Sequence, residues 1–195
     1  MDSNTNYIAG ETPVDINNNI ENVGIAVFNT DKLVGELTSI ESICHLIVSN
    51  KLESCIINIT NPFDNTSVLD LEITPEKRTK TSVDIINGSP FIQTDIFLNC
   101  KIYNIDENSN YSNAENLEKI RQSANSYLTN EINNYLYKTS KVFNSDIDNF
   151  NGVAIRPFRT WQDWENYNWI ANYKNSFFKV NVTTYLLSSY ILLSS

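Results

Sequence analysis

The stretch PFIQTDIFLNCKIYNI, residues 90–105, constrains the fold more than any other. Ile92, Thr94, Ile96, Leu98, Cys100 and Ile102 share one parity, and Gln93, Asp95, Asn99 and Lys101 share the other. Side chains of an extended chain alternate between two faces, so the pattern predicts a long strand with one dry face and one wetter face. Such a strand belongs in an antiparallel sheet whose dry side needs a second layer. Several runs can supply its neighbours: SCIINIT (54–60), SVLDLEI (67–73), RTKTSVDII (78–86) and FFKVNVTTYLL (177–187). Further upstream, VGIAVF and LVGEL joined by NTDK read as a hairpin.

The covering layer is helical. Thr38 with Glu41 three residues on is a capping-box pattern, in which each side chain satisfies an otherwise orphaned amide. Ile40, Ile43, Cys44, Ile47 and Val48 then repeat at helical spacing, and Asn50 is expected to end the helix. Ser112 and Glu115 make a second such box, opening a long helix to about Val142 with Leu117, Ile120, Ala124, Leu128, Ile132, Tyr135 and Val142 as its apolar stripe. RTWQDWENYNWIANYK (159–174) reads as one further helix. The expectation is an α+β fold: a mostly antiparallel sheet packed on one face by a long amphipathic helix plus shorter helices. Residues 1–20, polar and poor in apolar anchors, read as a linker, and residues 21–195 as a single domain.

Charge narrows the partners. The chain of 195 residues carries 23 acidic and 14 basic side chains, a net −9, which repels phosphate backbones and anionic headgroups alike. No nucleic-acid role is expected; the densest basic cluster, EKRTK (76–80), reads as an exposed turn and strand edge. The polar, acidic start lacks a signal-peptide pattern, and the tail YLLSSYILLSS is too short and Ser-rich for a membrane helix, which needs about 20 apolar residues. Cys44, Cys55 and Cys100 are widely spaced, sit in apolar surroundings and read as buried thiols. The lone histidine, His45, has none of the ligand spacings a zinc site requires and reads as a helix-border residue. No cofactor and no metal are expected.

Two carboxylate pairs, Asp146 with Asp148 and Asp163 with Glu165, are the nearest approach to a hydrolase constellation. The aromatic cluster is more distinctive. Trp161, Trp164 and Trp169 are the chain's three tryptophans, joined by Tyr167 and Tyr173. On one helix the three Trp would spread over an arc of about 140°, a single broad face. That face either anchors the helix to the sheet or leaves part of itself exposed as a partner site, Trp161, Trp164, Tyr167 and Trp169 being the candidates.

IAVFNTDKLVGELTSIES (25–42) resembles the opening of the C-terminal domain of the Ger(x)C spore germination proteins. In that family a short strand leads through a DKLVG motif, here Asp31, Lys32, Leu33, Val34 and Gly35, into an acidic-capped helix. A second stretch resembles it independently: NSDIDNF (144–150), with Ser145, Asp146 and Phe150, then Gly152, IRPFRTWQDW and NWIANYKNSFFKVNV. The resemblance spans about residues 23–187. The family places Gly directly after the Phe, whereas here Asn151 intervenes, and the left-handed turn is expected to survive at or near it because Asn tolerates that conformation. The final strand also lacks the family's Arg-rich, Gly-ended finish. The family's N-terminal half and lipid-modified cysteine have no counterpart in this sequence, so the chain resembles a C-terminal fragment.

The resemblance implies a non-enzymatic lipoprotein subunit of a nutrient germinant receptor. Such a subunit is held by its lipid anchor at the extracytoplasmic face of the spore inner membrane, beside a membrane-spanning A subunit and a transporter-like B subunit. Two other readings stay open on the residues: a small extracytoplasmic enzyme using Asp146 or Asp163, and a ligand-binding domain.

Overall fold

The chain is seen here as a computed structural model that describes residues 24–29, 31–103 and 113–187. The linker expected over residues 1–20 and the capping residue Ser112 lie outside them. A four-stranded sheet has the order β3 (Cys55–Asn61), β4 (Asp64–Ile86), β5 (Ser89–Ile102), β6 (Phe177–Leu186). The alternation places β5 as expected: Ile92, Thr94, Ile96, Leu98 and Cys100 are all buried, and the residues between them are not.

Two features of the sheet differ from expectation. The runs 67–73 and 78–86 are one strand, β4, of 23 residues. The stretch EKRTK (76–80), expected as an exposed turn and strand edge, is absorbed into the strand as bulges, with register shifts between Pro75 and Lys77 and between Lys77 and Lys80. Proline has no amide to give a ladder and is tolerated at bulges. In addition, β6 runs parallel to β5, from Phe91 opposite Phe177 to Cys100 opposite Leu186. A parallel pair needs a crossover in place of a hairpin, and the chain between β5 and β6 supplies it in helices. The sheet is therefore mixed, antiparallel across β3–β4–β5 and parallel at β5–β6.

Asparagine does much of the turning. Asn50, Asn87, Asn144, Asn149 and Asn168 all have positive φ, between 46° and 61°. The chain has five glycines, and Asn is the ordinary residue that enters the left-handed region most readily. Asn87 with Gly88 closes the β4–β5 hairpin as a two-residue loop, Ile86 pairing with Ser89.

Helix α1 (Ser39–Val48) is capped as expected: the Thr38 hydroxyl accepts from the Glu41 amide at 3.4 Å, and Glu41 accepts from the Thr38 amide at 2.8 Å. Helix α2 (Ala114–Tyr137) is capped by Asn113, whose side-chain oxygen accepts from the Glu115 amide at 3.0 Å. Ile120, Ala124, Leu128, Ile132 and Tyr135 are buried along it, together with Leu136. The stripe does not reach Val142, which is exposed, and Phe143 is buried in its place. A π-helical segment, Lys138–Phe143, follows α2, and its wider turn adds a residue and rotates the phase of everything after it.

The hairpin of β1 (Ile25–Asn29) and β2 (Lys32–Leu37) docks on this segment. A Cβ on Gly35 would lie 2.1 Å from the Phe143 ring, so only glycine admits the contact. Lys138 donates to the Glu36 carbonyl at 3.0 Å and to Glu41 at 2.7 Å, joining β2, α1 and the end of α2. One continuous hydrophobic cluster runs from Val27 and Leu37 through α1, the sheet and α2 to Tyr173 and Val180.

Candidate functional site

The second family-like motif is a turn built around a carboxylate. Asp146 Oδ1 accepts from the Phe150 amide at 2.9 Å, and Oδ2 accepts from the Asn151 amide at 2.8 Å and the Trp169 indole at 2.9 Å. It thereby satisfies the start of α3 (Asn151–Ala154), whose first amides have no helical partners of their own. Burial raises its pKa, and these donors oppose the rise. Phe150 is buried against Tyr173, and Ser145 is buried with its amide on the Thr139 carbonyl. The left-handed turn expected at or near Asn151 falls at Asn149, just before the Phe, and Asn144 at the start of the motif is left-handed as well; Asn151 and Gly152 are helical. A Cβ on Gly152 would meet the Asn149 side chain at 3.3 Å.

Beside this turn lies a polar cluster that reading along the chain missed. Asp148 is fully buried, accepts from the Tyr135 hydroxyl at 2.8 Å and meets His45 Nδ1 at 2.9 Å; His45 and Tyr135 are themselves 3.1 Å apart. Burial raises the Asp148 carboxyl, with the His45 and Tyr135 contacts pulling the other way, and pushes the Tyr135 phenol up strongly. His45 is partly buried, as a helix-border residue is, and its ring also pairs with a carboxylate 103 residues away. Nothing local marks that pairing; the only sequence signal was a lone histidine on the edge of an apolar helix face.

The expected single Trp-bearing helix is two, α4 (Trp161–Tyr167) and α5 (Trp169–Tyr173), divided at left-handed Asn168. The tryptophans accordingly do not share one helical face. Trp164 and Trp169 belong to a ladder of rings that Trp161 does not join: Phe158 against Trp164 (5.2 Å between ring centroids), Trp164 on Trp169 (5.9 Å), Trp169 on Tyr173 (5.6 Å), and Tyr173 against Phe178 (6.4 Å). Trp169 is buried, Trp164 and Tyr167 are half-buried, and Trp161 is 64% exposed with its indole donating to Glu165 at 2.6 Å. Tyr167 also donates to the Gly88 carbonyl at 3.1 Å, seating α4 on the β4–β5 turn. In the first motif Asp31, Lys32 and Leu33 are exposed at the hairpin tip, and Val34 and Gly35 turn inward.

Chemically, the acidic pairs separate. Asp163 and Glu165 lie on open surface. Asp146 and Asp148 are interior acceptors whose oxygens are all engaged by protein donors. The cysteines are free; Cys44 and Cys100 are buried and Cys55 partly so. Desolvation pushes Cys55 up to about 11 and Cys100 to about 12, away from thiolate reactivity. Among the described residues no group of three or more His, Cys, Asp or Glu side chains is placed to hold a metal ion, and no helix is long and apolar enough to cross a membrane.

A carboxylate-pinned turn and a ladder of rings are fixed into an α+β core, and the distinctive residues of both motifs hold its shape. Residues 23–190 match the family model described as "Spore germination B3/ GerAC like, C-terminal", and the chain belongs to that family. Among solved structures it is similar to the crystal structure of the GerBC protein, with a TM-score of 0.66 at 16% identity. That alignment covers 84% of this chain and 50% of GerBC, so the chain spans about half the length of that protein. No curated protein matches the chain.

Proposed function

We propose that residues 21–195 act as one non-enzymatic domain of a spore nutrient germinant receptor, making protein contacts with the receptor's A and B membrane subunits during germination. Family membership supports the germination role, and the continuous core supports reading the region as one domain. A chain with a net charge of −9 does not settle on an anionic bilayer by itself. Location at the extracytoplasmic face of the spore inner membrane therefore rests on a covalent lipid anchor together with subunit contacts.

The observation that carries the interface reading is Trp161. It is a large amphipathic ring, mostly exposed, held in one orientation by Glu165 on a helix that the aromatic ladder ties to the core. Rigid exposed tryptophans are the residues most enriched among interface hot spots. Pull-down of the domain with the A or B subunit tests it. Trp161→Ala is expected to leave the thermal transition unchanged while binding falls by roughly tenfold or more, about 1.4 kcal/mol or above. Trp169→Ala, by contrast, is expected to lower stability first. Full binding by a folded Trp161→Ala domain would remove this face from the interface.

A further inference from the structure

The basic run Lys77, Arg78, Lys80, set in an otherwise acidic chain, falls on the doubly bulged part of β4. Pro75 still faces Leu98 and Lys77 faces Phe97, but pairing resumes only at Lys80 opposite Asp95, so the strand lifts away from β5. Beneath the lifted segment, against the C-terminal end of α1, is an open cavity of about 330 Å³. Its apolar lining is Ile47, Leu52, Pro75, Phe97 and Leu98; Asn50 and Thr79 add polar groups, and Lys77, Arg78 and Glu76 add charge.

The geometry points to a binding site for a small organic monocarboxylate with a compact apolar body. Four features agree on that chemistry. The volume is at the lower end for ligand pockets and suits a molecule of few atoms. The Lys77 ammonium sits 3.7 Å over the Phe97 ring, which fixes a positive charge directly beside the apolar lining. Arg78 lines the same cavity, exposed and without a hydrogen bond or ion pair among the described residues, leaving a planar donor fork for a carboxylate. The negative end of α1 would ordinarily repel an anion, but two of its last carbonyls are occupied. Leu46 accepts from the Lys51 and Leu52 amides at 2.8 and 3.0 Å, and Ile47 accepts from the Thr79 hydroxyl at 3.0 Å. Glu76, 3.7 Å from Lys77, already shares that ammonium, which leaves the Arg78 fork as the main anchor and suits a ligand with one carboxylate. The site is independent of the Trp161 face, and its occupancy does not depend on the receptor role.

Titration of the protein with 4-methylpentanoate, followed by amide chemical shifts, tests the site. Saturable shifts are expected at Leu52, Phe97 and Arg78, with a dissociation constant on the order of 1 mM for so few ligand atoms. The amine 4-methylpentan-1-amine and acetate are expected not to saturate in that range, since each lacks one half of the recognition. Arg78→Gln, an exposed change that leaves the fold intact, should weaken binding about tenfold or more. Lys80→Gln, on the same strand but outside the cavity lining, should leave it unchanged. Absence of saturable shifts, equal binding of the amine, or equal weakening by Lys80→Gln would each overturn the proposal.

Discussion

A carboxylate taken wholly out of water must be satisfied by neighbours or give up its charge, and Asp148 is held between the two. Its pKa is raised by burial above the ordinary 3.8 while His45 and Tyr135 work against the rise. A group with a raised folded pKa binds its proton more tightly folded than unfolded. Its contribution to stability is complete below about pH 3.8 and is lost as pH climbs through the raised folded value. Asp146, raised by burial as well, acts in the same direction. Asp148→Asn should therefore flatten the fall in stability with rising pH, as read from urea transitions at pH 4 and pH 7. The amide can still accept from Tyr135 and donate to a neutral His45, so its cost at pH 7 is expected to stay within about 1 kcal/mol. His45→Ala removes a partner of a buried acid and should cost about 2–3 kcal/mol. A wild-type pH slope in Asp148→Asn, or a fully stable His45→Ala, would show that this cluster contributes nothing to the pH dependence or to stability.

At the scale of elements the decisive feature is a break. Asn168 is left-handed at φ 51°, and its side chain also caps α5 by accepting from the Ala171 amide at 3.4 Å. Without it residues 161–173 would run as one helix and Trp164 could not stack on Trp169. Asn168→Ala loses both the tolerated conformation and the cap, and should cost about 2 kcal/mol with a changed near-ultraviolet tryptophan spectrum. Asn168→Gly keeps the backbone freedom and should cost only a few tenths of a kcal/mol; equal losses in the two variants would contradict this account of the break. Much of the rest was legible in sequence, because period and capping are local: the alternation of β5 and β6, the Thr38–Glu41 box, and the inward stripe of α2 up to Tyr135 all lie as read. Direction is not local, so alternation could not tell that β6 runs parallel to β5. Nor could it show Pro75 as a bulge, or the π-helical turn that exchanges Val142 for Phe143. The Asn87–Gly88 turn was written plainly in the chain and is a signal that strand-by-strand reading passed over. Asp146 takes two of its donors locally, but Trp169 and His45, which complete the Asp146 and Asp148 sets, come from helices 23 and 103 residues away, which is why the candidate site was legible as a motif but not as a structure.

For the molecule as a whole, the central question is what closes the sheet. Strand β6 is added last in sequence, pairs along ten residues with β5, and is held to α2 where the Thr184 amide donates to Asn125 at 2.9 Å. The contact between strands so distant along the chain carries the loop-closure cost of everything between them, so it forms late and stabilises the whole. A chain ended at Ser176 would leave β5, 14 residues long and with Ile92, Ile96 and Leu98 on its inner face, as an uncovered edge. An exposed long apolar edge recruits other chains. The shortened protein is expected to lose its cooperative urea transition and to sediment as aggregates, and the 195-residue chain is expected to unfold in a single step. A sharp transition retained without β6 would mean that β3, β4 and β5 with α1 and α2 are a self-sufficient unit. The aromatic ladder would then be an appendage to the fold: its inner ring, Phe178, belongs to β6, and rigidity of the Trp161 surface depends on that strand being in place.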